Sequence, residues 1–451
     1  MTLSELQEMA EGMGEKKFRG KQIHDYIRQQ GILNVDDMKT LPKDFREVLK
    51  AQTIPTTLSL TGPTAGTLTS TDGTIKRSYL LPTGHTIESV LMPYKSHHTA
   101  CISSQVGCAQ GCVFCATGQQ GFGRQLGAGE IVEQVALFDI MLKRKGVKNG
   151  VGNIVFMGMG EPLSNFKNVM SAVSILNKDF GIGSRRITIS TVGITDKIRR
   201  LADTNSQVGL AVSLHSSSDD KRTPLMPVNG RYGGVSGLLS AVKYYQDKTN
   251  RRVTFEWAAI AGENDSANTA RELGRTLREN GVRAKLCHVN VIPLNPTRGY
   301  GGKKAGVGRV DEFCNVLREE FGIEATRRTR RGIDIEAGCG QLSDVKRIMD
   351  VIGGGGYTKP KVGEEKEIKK REEVRGRESL GGGKVRSPVE VMSRKLRKVR
   401  KGYKRVLELE GVKERGGKLT RTQHEKIKTK KDVERIIEEL EEEIRGVNGG
   451  S

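Results

Sequence analysis

Cysteine is the residue type with the most chemical reach in this chain. Cys108, Cys112 and Cys115 fall in one short run, Cys108-Ala-Gln-Gly-Cys-Val-Phe-Cys115, at spacing C-x3-C-x2-C. Three thiolates so close cannot all pair as disulfides, but they can ligate metal from one loop. A fourth cysteine at similar spacing would complete a tetrahedral zinc site or a fully ligated cluster. None follows, the next being Cys287. Three protein ligands leave one iron of a 4Fe–4S cluster open for a substrate. The plain alternative is a zinc knuckle, and spacing alone leaves both readings standing.

The seven cysteines (101, 108, 112, 115, 287, 314 and 339) form an odd, clustered set. That pattern does not suit a secreted disulfide framework and points to a reducing compartment with metal or redox work. Cys287 lies in an apolar strand-like run and Cys314 in a helical one, so both read as core. A chain of 451 residues can hold two or three domains. Its net charge of +22 favours a polyanionic partner, most simply RNA. No run of eighteen apolar residues predicts a membrane span. The first residues, Met1-Thr-Leu-Ser-Glu-Leu, show neither an apolar signal core nor an Arg/Ser-rich transit pattern.

The elements that must position these residues are legible as changes in periodicity. Residues 1–55 read as a small helical unit whose Lys16, Lys17, Arg19 and Lys21 are candidates for RNA phosphate. Residues 56–100 alternate Thr, Ser and Gly with apolar residues and predict a β-hairpin linker packing on the core. Glu88 sits in its second strand, where the ordinary reading is a solvent-side residue. Over 101–350, strand-like runs such as 153–157, 186–190, 208–214, 253–257 and 286–292 alternate with helical runs. Repeated βα units imply an α/β fold with a parallel sheet and outer helices, as a partial or full barrel. Chemistry in such folds gathers at the C-terminal strand ends, where the cysteine loop, Gly160-Glu161, Ser190, Ser213-Leu-His215, Asn295 and Cys339 fall. Residues 351–451 are Lys-, Arg- and Glu-rich, partly helical in spacing, and read as a charged extension.

Several motifs in order carry a family resemblance. Thr99-Ala-Cys-Ile-Ser-Ser-Gln-Val-Gly-Cys-Ala-Gln-Gly-Cys-Val-Phe-Cys, Phe156-Met-Gly-Met-Gly-Glu-Pro-Leu, Ile189-Ser-Thr-Val-Gly, Ser213-Leu-His, Ile292-Pro-Leu-Asn-Pro and Glu336-Ala-Gly-Cys-Gly-Gln-Leu resemble the RlmN/Cfr family of radical S-adenosylmethionine (SAM) RNA methyltransferases. The resemblance spans roughly residues 3–350 and implies a radical SAM partial (β/α) barrel with a small N-terminal helical domain. It also implies that Cys108, Cys112 and Cys115 ligate a 4Fe–4S cluster. Gly160, Glu161, Ser190, Ser213, Leu214, His215 and Asn295 would then bind SAM, used twice per turnover. The family's route methylates Cys339. A deoxyadenosyl radical then activates that methyl for addition to an adenine ring carbon, and a Cys101–Cys339 disulfide forms on release. Glu88 matches the family's proton acceptor, and Cys339 in Ala-Gly-Cys-Gly reads as lying in a flexible loop.

The implied product is 2-methyladenosine in large-subunit rRNA and, in some members, tRNA. An electron donor of flavodoxin or ferredoxin type, a monomer and a cytoplasmic location complete the expectation. An organelle is the alternative location should a presequence precede the chain. Gln119-Gln120-Gly-Phe and the N-terminal unit lean towards C2 over the C8-directed Cfr type. Arg327-Arg-Thr-Arg-Arg331, near Cys339, is a candidate grip on the RNA backbone. The rivals from other classes are a non-catalytic ribosome- or RNA-binding factor and a zinc-binding RNA protein.

Overall fold

The structure is a computed structural model describing residues 2–32, 34–52, 67–81, 83–297 and 299–343, with a few positions between 400 and 434. Three helices open the chain: α1 (Leu3–Gly12), α2 (Phe18–Asp25) and α3 (Lys43–Gln52). Thr2 and Glu5 cap α1 reciprocally, each side chain meeting the other residue's N–H. Leu6, Ala10, Ile23, Tyr26, Leu41, Phe45 and Leu49 close a small core of their own. The unit also grips the main body. Lys143 Nζ donates to the Arg28 carbonyl at 2.6 Å, Arg144 donates to the Gly31 carbonyl at 2.8 Å, and the Arg28 guanidinium lies 4.0 Å over Phe180.

The main body is one ten-stranded sheet wrapped in helices. Its strands are β1 (Thr67–Thr69), β2 (Ile75–Leu80), β3 (Thr86–Pro93) and β4 (His98–Cys101), then β7 (Asn153–Phe156) to β12 (Glu324–Arg327). Between them β8 is Ile187–Thr191, β9 Gly209–Ser213, β10 Val253–Ala259 and β11 Cys287–Pro293. A separate two-stranded ribbon, β5 (Gln105–Gly107) with β6 (Phe122–Gln125), flanks the short α4 (Ala116–Gln119). From β4 to β12 all pairings in the main sheet are parallel; β1 to β4 pair antiparallel.

The helices are α5 (Ala128–Arg144), α6 (Phe166–Phe180), α7 (Thr195–Asp203), α8 (Asp219–Leu225), α9 (Gly234–Thr249), α10 (Ala267–Glu279) and α11 (Val307–Phe321). They return the chain between parallel strands, as a βα succession requires. In β11, Cys287, Val289 and Val291 are buried while His288 and Asn290 are only partly covered. Cys287 and Cys314 are both core residues.

Two expectations need correction. The boundary drawn at 100/101 does not divide the sheet: the described strands of residues 67–101 continue it, and β4 straddles that boundary. Glu88 is not on a solvent side. It is 3 % exposed, with its carboxylate 3.3 Å from the Lys76 ammonium and accepting from Ser78 Oγ at 3.0 Å. The cause is that both faces of β3 are covered, its residues from Thr86 to Met92 all being buried.

The sheet is open: β1 and β12 are its ends. The segment after β12 reaches across to the hairpin. Gly332 N–H donates to Asp72 Oδ2 at 3.1 Å, and Ser70 Oγ and Thr71 N–H donate to the Asp334 carboxylate at 2.5 and 3.0 Å. Asp72 is held at a pKa of about 2; burial works against this, and hydrogen bonds from Thr74 and Gly332 outweigh it.

The described positions between 400 and 434 belong to a second compact unit. Described positions in both stretches read as helical, Arg400 to Glu410 and Glu434, are helical, and the Tyr403 hydroxyl donates to Glu434. The rest of that reading lies outside the described residues.

Candidate active site

The cysteine loop is strung between β5 and β6. Cys108 N–H donates to the Gly121 carbonyl at 2.9 Å and Val113 N–H to Leu225 at 3.1 Å. Helix α4 folds back onto it so closely that a Cβ at Gly118 would stand 2.9 Å from the Cys112 backbone; only glycine fits. Burial pushes the Cys108 thiol well above its ordinary range and the Cys112 thiol to about 12, and the neighbouring Cys115 adds to both. Bare, these thiols keep their protons; a bound cation reverses that balance.

Among the described residues no three ligating side chains converge on one point that would hold a single ion. In a 4Fe–4S cluster each thiolate meets a different iron, so the ligands surround a volume instead. All three cysteines line one cavity, and the donor set fits a cluster better than a zinc knuckle.

Gly160, Glu161, Ser190, Ser213, His215, Asn295 and Cys339 line that same cavity. They arrive from the C-terminal ends of β7, β8, β9 and β11 and from the loop beyond β12. Gly160 has φ +100°, and a Cβ there would meet Gln105 at 2.5 Å. Glu161 is buried, its carboxylate accepting from Leu163 N–H at 2.9 Å and Val192 N–H at 2.7 Å. Burial raises its pKa to about 7 against those hydrogen bonds. His215, with φ +60°, is buried and pushed down to about 3 by burial, then by the Arg222 charge. Its Nδ1 accepts from Ala258 N–H at 2.9 Å, which places the proton of the neutral ring on Nε2.

Leu214 does not line the cavity. Its side chain is fully buried, and it contributes only backbone, its carbonyl accepting from Arg222 Nε at 3.0 Å. Leu214 follows the last residue of β9 and lies between Ser213 and His215, which both line the cavity, so its side chain is the one turned into the core. Asn295 lines the cavity with both polar ends engaged: Nδ2 donates to the Cys339 carbonyl at 3.1 Å and Oδ1 accepts from Arg330 at 2.7 Å.

The Cys339 loop, read as flexible, is fastened at many points. Ala116 N–H donates to the Gly340 carbonyl at 2.7 Å and Thr117 Oγ1 to Leu342 at 2.6 Å, joining it to the cysteine loop. Gln341 bridges Gly338 N–H and the Pro296 carbonyl. Ser343 N–H donates to Glu88 Oε2 at 3.0 Å. Cys339 itself is solvent-exposed in a niche of dense protein. Desolvation there raises its thiol pKa, and Arg328 opposes the rise. Cys101, at the end of β4, is pushed to about 12 by burial and by the nearby Cys339, again opposed by Arg328.

The arginine run divides. Arg327 pairs outward with Asp311 at 2.8 Å, Arg330 holds Asn295, and Arg331 covers the Tyr94 ring at 4.5 Å. Arg328 turns inward to Glu256 at 3.6 Å, in the wall of the cavity. It is not one basic patch. Two buried arrangements at the cavity are not visible in the sequence, although Arg328 falls in the arginine run singled out there. One is the Arg328–Glu256 pair. The other is buried Arg222, which binds the carbonyls of Val192, Ser213 and Leu214 and so fixes two strand ends. Both look like ordinary surface charges in a linear reading.

Comparison with known proteins decides the family. Residues 102–273 match the Radical SAM superfamily, and residues 1–54 match the ribosomal RNA large subunit methyltransferase N-terminal domain. A protein of Alkaliphilus oremlandii named "Probable dual-specificity RNA methyltransferase RlmN" is 42% identical over 76% of this chain and 96% of its own. The Staphylococcus aureus (strain MW2) protein of the same name is 42% identical over 78% and 93%. The chain belongs to the RlmN/Cfr family. A crystal structure of a radical SAM methyltransferase from Sphaerobacter thermophilus, 44% identical, overlays with a TM-score of 0.70 over 76% of this chain and 97% of that one. RlmN/Cfr membership implies a 4Fe–4S cluster and SAM, the groups that this cavity's donors fit. Among the described residues no helix is long and apolar enough to cross a membrane.

Proposed function

We propose that this chain methylates C2 of an adenosine in large-subunit rRNA, and in tRNA where the adenosine is similarly accessible, through a methyl carried on Cys339. The observation that carries the reading is one cavity lined by Cys108, Cys112, Cys115 and Cys339, with Cys101 close enough to Cys339 for their charges to interact.

Cys108, Cys112 and Cys115 would hold the cluster. It supplies the single electron that opens SAM, delivered by a donor of flavodoxin or ferredoxin type. Gly160 gives the close backbone approach that a SAM amino-acid end needs. Glu161 has lone pairs beyond its two backbone partners for an ammonium. The Nε2–H of His215 is a fixed donor, and Ser190 and Ser213 offer hydroxyls. Asn295 acts on the Cys339 loop and thereby on where the methyl stands.

Adenine C2 is not nucleophilic, so the carbon is carried on the protein. Cys339 takes the methyl as a thioether and, after hydrogen removal, is bonded to the ring through that carbon; the odd electron left on the ring would go to the one-electron group that Cys108, Cys112 and Cys115 would hold. Cys101 then attacks the Cys339 sulfur as thiolate. The S–S bond forms, the carbon–sulfur bond breaks, and its electron pair stays on carbon, which gains a proton. Glu88, on β3 and accepting from Ser343 N–H beyond Cys339, takes the proton lost from the ring. An external thiol reductant restores both cysteines. The adenosine must be unpaired or flipped for its C2 edge to enter. A cytoplasmic monomer remains the working picture.

Peptide mass spectrometry after incubation with SAM and reductant tests the carrier. A methyl group on Cys339 is expected; its absence from a cluster-loaded protein would contradict the scheme.

A further inference from the structure

A second cavity, about 580 Å³, opens at the other end of the strands. Its walls come from the turn between β3 and β4 and from the segments that enter β7 and β8. No carboxylate lines it, while Lys95, Lys148 and Arg186 do. All three are exposed, and none pairs with an acidic group among the described residues. In a protein that neutralises Asp311, Glu256 and Asp139 with neighbouring cations, such an unbalanced cluster is an anion site in waiting.

Two rings also line the cavity; Arg331 already covers Tyr94, so a base would stack on His97. The Tyr94 and His97 rings stack at 5.0 Å and 10°. The turn holding them closes through Tyr94 N–H to the His97 carbonyl at 2.8 Å, and Ser96 Oγ meets His97 Nδ1 at 3.1 Å. Phe180 forms part of the opposite wall and is itself covered by Arg28 of the N-terminal helical unit.

Cations without acids suit phosphodiesters, and stacked rings suit a base. We propose that this cavity is a second RNA contact, gripping the backbone and one stacked base of the substrate RNA away from the reacting adenosine. The inference rests on the RNA-methyltransferase reading. Such contacts fix position and affinity rather than sequence. They would let a shallow reaction cavity work on a large RNA.

The test uses full-length, cluster-loaded protein and its K95Q/K148Q/R186Q variant, all three positions being on the surface. Fluorescence anisotropy would follow an rRNA fragment and an unrelated RNA of equal length across a salt series. Each phosphate contact contributes about 0.7–0.9 to the log–log salt slope, so the variant should lose about 2 in slope and about tenfold in affinity for both RNAs. Methylation of Cys339 from SAM alone should stay at the wild-type rate. Unchanged affinity and slope would overturn the proposal. So would tight wild-type binding of adenosine monophosphate that the variant abolishes, which would reassign the cavity to a free nucleotide. A lowered slope in a protein that makes no methyladenosine would keep this site and remove the catalytic reading.

Discussion

Arg328 is the residue whose role the linear chain hides most. It lies against buried Glu256, and its charge favours the thiolate forms of both Cys101 and Cys339. R328M should move the pH–rate profile of Cys339 methylation to higher pH. It should also destabilise the fold by about 3 kcal/mol, because a buried carboxylate loses its cation. R328M/E256Q should regain most of the stability and keep the displaced profile; a profile restored along with stability would make the arginine purely structural. His215 gives a second prediction. Its folded pKa of about 3 lies below the ordinary 6.5, so the unfolded chain binds the proton first. Its contribution is fully present above pH 6.5 and is lost as pH falls towards 3, by about 1.4 kcal/mol per pH unit. Denaturant titrations of wild type and H215Q should converge over that window, and parallel curves would show that the ring is not buried neutral.

Strand ends, turns and loops carry the next level. The motif residues were legible because each couples chemistry to a local need: glycine at Gly160 where the backbone turns to φ +100°, or cysteines grouped on one loop. What joins the elements was not legible. The clamp of Asp72 and Asp334 connects residues some 260 apart in sequence, and nothing local marks either aspartate as a partner. The β5–β6 ribbon was missed because its strands span only 3 and 4 residues. The hairpin was recognised as a hairpin, but its continuity with the barrel depends on a pairing between β4 and β7 that a local pattern cannot express. D72N/D334N should free the segment leading to Cys339. Cys339 methylation is expected to slow several-fold while iron content and SAM affinity hold. A wild-type rate in that double variant would show that the clamp does not position the loop.

For the molecule as a whole, the α/β class, the N-terminal helical unit and the membership of RlmN/Cfr were all readable, since each rests on repeated or ordered patterns. The charge of +22 pointed to a polyanion without saying where it would bind. The structure divides that charge into pairs that hold the site, such as Arg328–Glu256, and cations with no acidic partner among the described residues, such as Lys95 and Lys148. The central claim is a protein-carried methyl delivered to adenine C2. Its most direct test is nucleoside mass spectrometry of rRNA lacking the modification after anaerobic incubation with cluster-loaded protein, SAM and a reductant, with Cys339→Ala in parallel. The account predicts 2-methyladenosine from wild type and none from the variant. An 8-methyladenosine product would contradict the C2 assignment, and 2-methyladenosine from the Cys339→Ala protein would contradict the carrier itself.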